Sequence, residues 1–123
     1  MIKIFLDDIR IPLDDQWIII KSYYDFIDYI PKIDFQEISE ISLDHDLGDD
    51  KSEKERTGFD VAKWLVDYCI DNDYIMPQIK VHSSNTVGSD NIILLINNFL
   101  SFSSCAPTAY KHVVELKRGI KIF

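Results

Sequence analysis

The chain is poor in cysteine, glycine, proline and basic residues, and it has no long apolar run. Its two cysteines, Cys69 and Cys105, are too few for a disulfide framework and lack metal-ligand spacing, so both are expected to be reduced packing residues. No apolar stretch approaches the roughly 20 residues of a spanning helix. In MIKIFLDDIR the acids stand where a secretory leader would need its apolar stretch, so a cytoplasmic protein without a membrane partner is expected. The 13 Lys and Arg face 21 Asp and Glu, for a formal net charge of −8. That balance argues against an extended duplex as partner, because such binding draws its affinity from neutralised phosphates. It leaves room for a small phosphate-bearing ligand or an RNA end, held by a local positive device. At 123 residues and 46% hydrophobic, the chain is expected to form one domain over 1–123 with its own core.

What the chain does contain is an alternation of short apolar runs and amphipathic stretches. Ile2 to Leu6 reads as a strand that stops at Asp7-Asp8, and Trp17 to Ile20 as a second. Tyr23, Phe26, Ile27 and Ile30 follow at helical spacing, until Pro31 disfavours helical geometry at Ile30. Ile38 to Leu43 is a third strand and opens into an acidic loop, DHDLGDD. Thr57 with Asp60 resembles a capping box, and Val61, Ala62, Leu65, Val66 and Cys69 share one face of the helix behind it. Ile79 to Val81 is a fourth strand, and Gly88-Ser89 is expected to open a helix carrying Ile92, Leu95, Ile96 and Phe99. The tail is evenly balanced: Pro107 to Arg118 before Gly119 has helix start and stop signals, yet Tyr110, His112, Val114 and Leu116 alternate like a strand. Alternating strands and helices with short connections imply an α/β fold, a mostly parallel sheet sandwiched by helices.

In such sheets ligands collect at the carboxyl ends of the strands. Asp7, Asp8, Asp44, His45, Asp46, His82, Ser83 and Asn85 all follow strand ends, so one sheet edge gathers them. Carboxylates crowded there repel one another, and a divalent cation relieves the repulsion. Asp7, Asp8 and Asp44, with Asp46 beside them, are hard oxygen donors suited to Mg²⁺ or Mn²⁺. His45 and His82 are candidates either for metal ligation or for proton transfer. Arg10 is suited to gripping phosphate oxygens, Ser83 and Asn85 supply short donors, and a helix start at Ser89 would attract an anion. A calcium-loop reading of Asp44, Asp46 and Glu55 is disfavoured, since Asp49 stands where the turn glycine belongs.

The stretches FLDDIRIP at 5–12, LDHDLG at 43–48, TGFDVAKWL at 57–65 and IKVHSSN at 79–85 resemble, in order and spacing, the cyclic-phosphate processing receiver-like domains of bacteria and their phages. The resemblance implies a receiver-like, flavodoxin-like three-layer sandwich with a divalent cation on the acids. It further implies activity on cyclic phosphates carried by His45 and His82. Against ordinary receivers, the segment between Asp8 and Trp17 is too short for a full first helix, and no lysine is placed at a fifth strand end.

The leading expectation is therefore a metal-dependent phosphoesterase-like domain acting on 2′,3′-cyclic phosphate ends or cyclic nucleotides, with Asp44, His45 and His82 in the chemistry. The alternative is a receiver-type signalling or nucleotide-sensing module in which Asp44 accepts phosphate. A third reading is an interaction protein using the helix around Ile92 to Leu100, whose apolar face Ile93, Leu94 and Leu100 widen.

Overall fold

A computed structural model of the protein describes residues 1–47, 56–103 and 121–122. The strands β1 (Ile2–Leu6), β2 (Trp17–Ile20), β3 (Ile38–Leu43), β4 (Gln78–Val81) and β5 (Lys121–Ile122) form one sheet in the order β2-β1-β3-β4-β5. All neighbours are parallel. Between them run α1 (Tyr23–Tyr29), α2 (Gly58–Asn72) and α3 (Thr86–Ser103). This is the α/β fold with a parallel sheet that the alternation implies, in the flavodoxin-like form that the resemblance implies. The balanced reading of the tail falls on residues 107–120, outside the described residues, but Lys121–Ile122 form β5 beside β4.

Local chemistry sets the element boundaries. Ser22 caps α1 by accepting the Asp25 N–H at 3.1 Å; against the expectation from Pro31, Ile30 keeps helical geometry at φ −57° and ψ −43°, and the chain leaves the helix through a short 3₁₀ segment, Ile30–Lys32. Thr57 and Asp60 form the capping box of α2: the Thr57 hydroxyl accepts from Phe59 N–H at 3.2 Å, and Asp60 accepts from Thr57 N–H at 2.8 Å. Asp73 ends that helix in the left-handed region at φ 55°, a conformation short polar side chains tolerate. α3 begins at Thr86, upstream of the expected Gly88-Ser89 start. The reason is Asn85, whose side-chain oxygen accepts the Gly88 N–H at 2.9 Å while its carbonyl accepts the Ser89 N–H at 2.9 Å.

Even-numbered β1 residues Ile4 and Leu6, with Ile41, Leu43, Ile79 and Val81, point into one core with Phe26, Leu65, Ile92 and Ile96 from the helices. α2 packs between α1 and α3 on that face. Each crossover from β2 to β3, β3 to β4 and β4 to β5 steps the same way along the sheet, and right-handedness then puts the three helices on the same side. Only the β1-to-β2 step runs the other way, and its connection holds no helix. Among the described residues the second sheet face therefore carries no helix, which agrees with the expected loss of the first one. Leu100 lies in the core and Ile93 packs against it, so most of the widened face on α3 is spent inside the fold; Leu94 stays exposed. Cys69 is also core, and burial pushes its thiol up to about 12. Cys105 lies outside the described residues. No helix among the described residues is long and apolar enough to cross a membrane.

Candidate functional site

The strand register assembles the site. Leu6 pairs with Leu43, and Leu43 with Val81, so the next residues, Asp7, Asp44 and His82, stand side by side at the carboxyl edge. The ladder continues through them: Asp7 N–H donates to Ile20 C=O at 3.1 Å, Asp44 N–H to Leu6 C=O at 3.0 Å and His82 N–H to Leu43 C=O at 2.9 Å. Because side chains alternate, these three point away from the apolar core. One ligand atom each from Asp7, Asp8 and Asp44 lies within 4.8 Å of the others. A cavity of about 310 Å³ above them is lined by Arg10, Asp46, Leu47 and Ser84 as well.

Asp7 is almost fully buried and held from three sides. One carboxylate oxygen accepts the N–H groups of Ile9 at 2.9 Å and Arg10 at 3.0 Å, and the other meets His82 Nε2 at 3.1 Å. The His82 ring reaches it because Ser42, between them on β3, is small: the imidazole lies across that strand and stacks on Phe5 at 4.2 Å with planes 13° apart. Ser42 Oγ closes the chain at 2.6 Å from His82 Nδ1. A carboxylate oxygen only accepts, so Nε2 carries a proton, and in the neutral ring Nδ1 accepts from the Ser42 hydroxyl. Burial lowers the His82 pKa, opposed by the hydrogen bond to Asp7, and the downward shift favours the neutral ring. Arg10 donates from Nη1 to the His82 carbonyl at 3.0 Å and lies 3.8 Å from Asp7.

Burial, together with the nearby Asp7 charge, raises the Asp44 pKa; the hydrogen bond from Ser83 opposes it. Burial and a like charge both penalise the ionised form, so the crowding of these acids carries an electrostatic cost. The Asp44 backbone is in turn pinned by α2, since a Cβ at Gly58 would stand 2.0 Å from the Asp44 carbonyl oxygen, and Gly58 N–H donates to His45 C=O at 2.7 Å. Only glycine allows the helix this approach.

His45 does not join the acid trio. Its Nδ1 lies 2.9 Å from Asp46 Oδ1, the Asn85 amide donates to the same oxygen at 3.2 Å, and the ring rests against Gly88. The hydrogen bond from His45, then that from Asn85, holds the Asp46 pKa below its ordinary value. With Nδ1–H donated to the carboxylate, Nε2 is the ring's acceptor. The structure thus brings Asp7, Asp8, Asp44, Arg10 and His82 together, with Ser83 on Asp44 and Asp46 at the rim. Ser89 is separate: it is buried, and its N–H is spent within α3. Ser84 takes the place on the cavity wall expected of Ser89.

The model of the cyclic-phosphate processing receiver domain matches residues 2–98, a span that contains every one of these side chains. The chain belongs to this family. No curated protein and no solved structure matches it significantly. Within this receiver domain, sequence reasoning missed Ser42, Phe5 and Gly58. For Ser42 a signal existed, as a lone small polar residue between Ile41 and Leu43 on the parity opposite the core.

Proposed function

We propose that this receiver domain is a metal-dependent phosphoesterase that opens cyclic phosphates, either 2′,3′-cyclic phosphate ends or cyclic nucleotides. The observation that carries the reading is the convergence of Asp7, Asp8 and Asp44 within 4.8 Å beside Arg10. Three carboxylates on one open cavity fit a hard divalent cation, Mg²⁺ or Mn²⁺, with Asp46 at its edge. Such a cation, when bound, supplies polarisation of a phosphoryl oxygen and activation of water.

The chain's own residues do the rest. Arg10, anchored through the His82 carbonyl, orients the phosphate with its remaining donors, and exposed Ser84 adds a hydroxyl on the cavity wall. His82 is a positioning residue: neutral and bonded at both nitrogens, it fixes the Asp7 carboxylate and does not exchange protons with substrate. His45 Nε2 takes the proton exchanged in the reaction, with Asp46 holding the ring's orientation. Water oxygen bonds to phosphorus, one ribose oxygen leaves and takes up a proton, and a phosphomonoester results.

The test is incubation of 2′,3′-cyclic AMP with the protein and Mg²⁺ or Mn²⁺, followed by phosphorus NMR. Conversion to the monoester, lost in Asp44→Asn, is expected; no turnover with any divalent metal by folded protein would remove the reading. The hydrogen bond of Ser83 to Asp44 favours one second reading, phosphoacceptance at Asp44 in a signalling or sensing module. Acetyl phosphate would then add a stable phosphoryl mass to Asp44 without turnover of cyclic substrates.

A further inference from the structure

The sheet face without a described helix bears a second cavity, of about 430 Å³, a size typical of small-molecule sites. Alternate residues of four strands line it: Phe5, Trp17, Glu40, Ser42, Lys80 and His82. A face shaped only to receive a helix would be apolar. This one sinks a carboxylate, a hydroxyl and an imidazole, since Glu40 is 5% exposed, Ser42 1% and His82 8%. Glu40 pairs with Lys80, Lys3 Nζ stands 4.7 Å from the centroid of the Trp17 ring, and Phe5 meets Trp17 edge-on at 5.7 Å.

This cavity adjoins the acid site. Arg10 borders both, and the Asp7–His82 hydrogen bond runs between them. A molecule with its phosphate at Arg10 therefore has its remainder within reach of the groove. The groove offers the part-exposed Trp17 ring for stacking, the Glu40 carboxylate to accept from hydroxyl or amino groups, and cations within a chain of net charge −8. Those are the complements of a nucleoside. The same net charge disfavours a long polyanion.

We propose that this groove binds the base and ribose of a free nucleoside 2′,3′-cyclic phosphate, with the base on Trp17 and the sugar or amino groups toward Glu40. The proposal rests on the phosphoesterase reading for the position of the phosphate, and it names the substrate class of that site.

Kinetics and binding separate the two claims. With 2′,3′-cyclic AMP, Trp17→Ala is expected to raise KM by roughly 5- to 150-fold, the range of one base–aromatic stack, with kcat held within about twofold. Turnover of base-free glycerol 1,2-cyclic phosphate should be unchanged. If Trp17→Ala does not fold, Trp17→Phe reports the same effect at smaller size. Independently of catalysis, 2′,3′-cyclic AMP should quench tryptophan fluorescence saturably in Asp44→Asn, and Trp17→Phe should abolish the quench, leaving Trp64 as a silent control. Quenching without turnover in wild type would retain the groove and sink the phosphoesterase. Turnover with KM indifferent to Trp17 and no quench would overturn the groove and leave the phosphoesterase standing. Turnover confined to a cyclic-ended oligonucleotide would overturn the free nucleotide.

Discussion

Asp44→Asn should make the metal-free protein more stable at pH 7 while abolishing its response to Mg²⁺. The three carboxylates bring ligand atoms within 4.8 Å of one another. At an effective dielectric of about 20, two unit charges that close repel by about 3 kcal/mol. Part of this is already offset by the Ser83 hydroxyl and the Asp46 N–H, which lies 3.4 Å from Asp44 Oδ1. Asparagine keeps an oxygen to accept the Asp46 N–H and an NH₂ that can donate to the Ser83 hydroxyl, and it removes the charge, so a net gain of about 1–2 kcal/mol is expected, or about 4–8 °C in melting temperature. The pH dependence follows from the sign of the shift. Burial lifts Asp44 above its ordinary 3.8, so as pH rises the unfolded chain releases this proton first. Wild type then loses stability until the folded group ionises too. The advantage of Asp44→Asn is accordingly absent at pH 3 and full above the raised pKa. For wild type, Mg²⁺ at 100 times its Kd should add about 2.7 kcal/mol, and the variant should gain little. Melting curves by circular dichroism from pH 3 to 8, with and without Mg²⁺, decide it. A variant that melts below wild type in EDTA at pH 7, or that keeps the full Mg²⁺ shift, would refute the picture of a cation site made of mutually repelling acids.

Other perturbations address the supports. Ser42→Val places added bulk under the His82 ring and removes its donor; a loss of about 1–3 kcal/mol in urea unfolding and a smaller Mg²⁺ shift are expected, and an unchanged Mg²⁺ shift would show that His82 does not position Asp7. Gly88→Ala would put a Cβ 2.3 Å from His45 Cγ and displace the ring, so turnover should fall at least tenfold while the Mg²⁺ shift persists; unaffected turnover would remove His45 from the chemistry. In a Cys105→Ser background, Cys69 should stay inert to a disulfide reagent at pH 8 until the protein unfolds, because its thiol is buried and pushed up to about 12; rapid labelling of the folded protein would contradict the core assignment.

Strand and helix positions were legible because the code for them is local. Periodicity placed Ile2–Leu6, Trp17–Ile20 and Ile38–Leu43 at their observed bounds, and Thr57 with Asp60 announced the α2 cap. The α3 start was read two residues late because Gly88-Ser89 looked like the helix opening, whereas the capping group is the Asn85 side chain. The acids and histidines at strand ends were visible too, since a strand that meets solvent changes composition abruptly.

Partnership was another matter. Both histidines follow strand ends, and nothing local to either reveals that His82 locks Asp7 while His45 pairs with Asp46. That difference comes from register, which sets Asp7, Asp44 and His82 level across three strands, and from the small Ser42 that lets an imidazole cross the strand between them. Nor does local pattern show that Glu40 and Lys80 meet on the face opposite the core. A chain segment encodes its own periodicity, but the distance between residues 75 positions apart is set by strand order and handedness, which exist only once the sheet has formed.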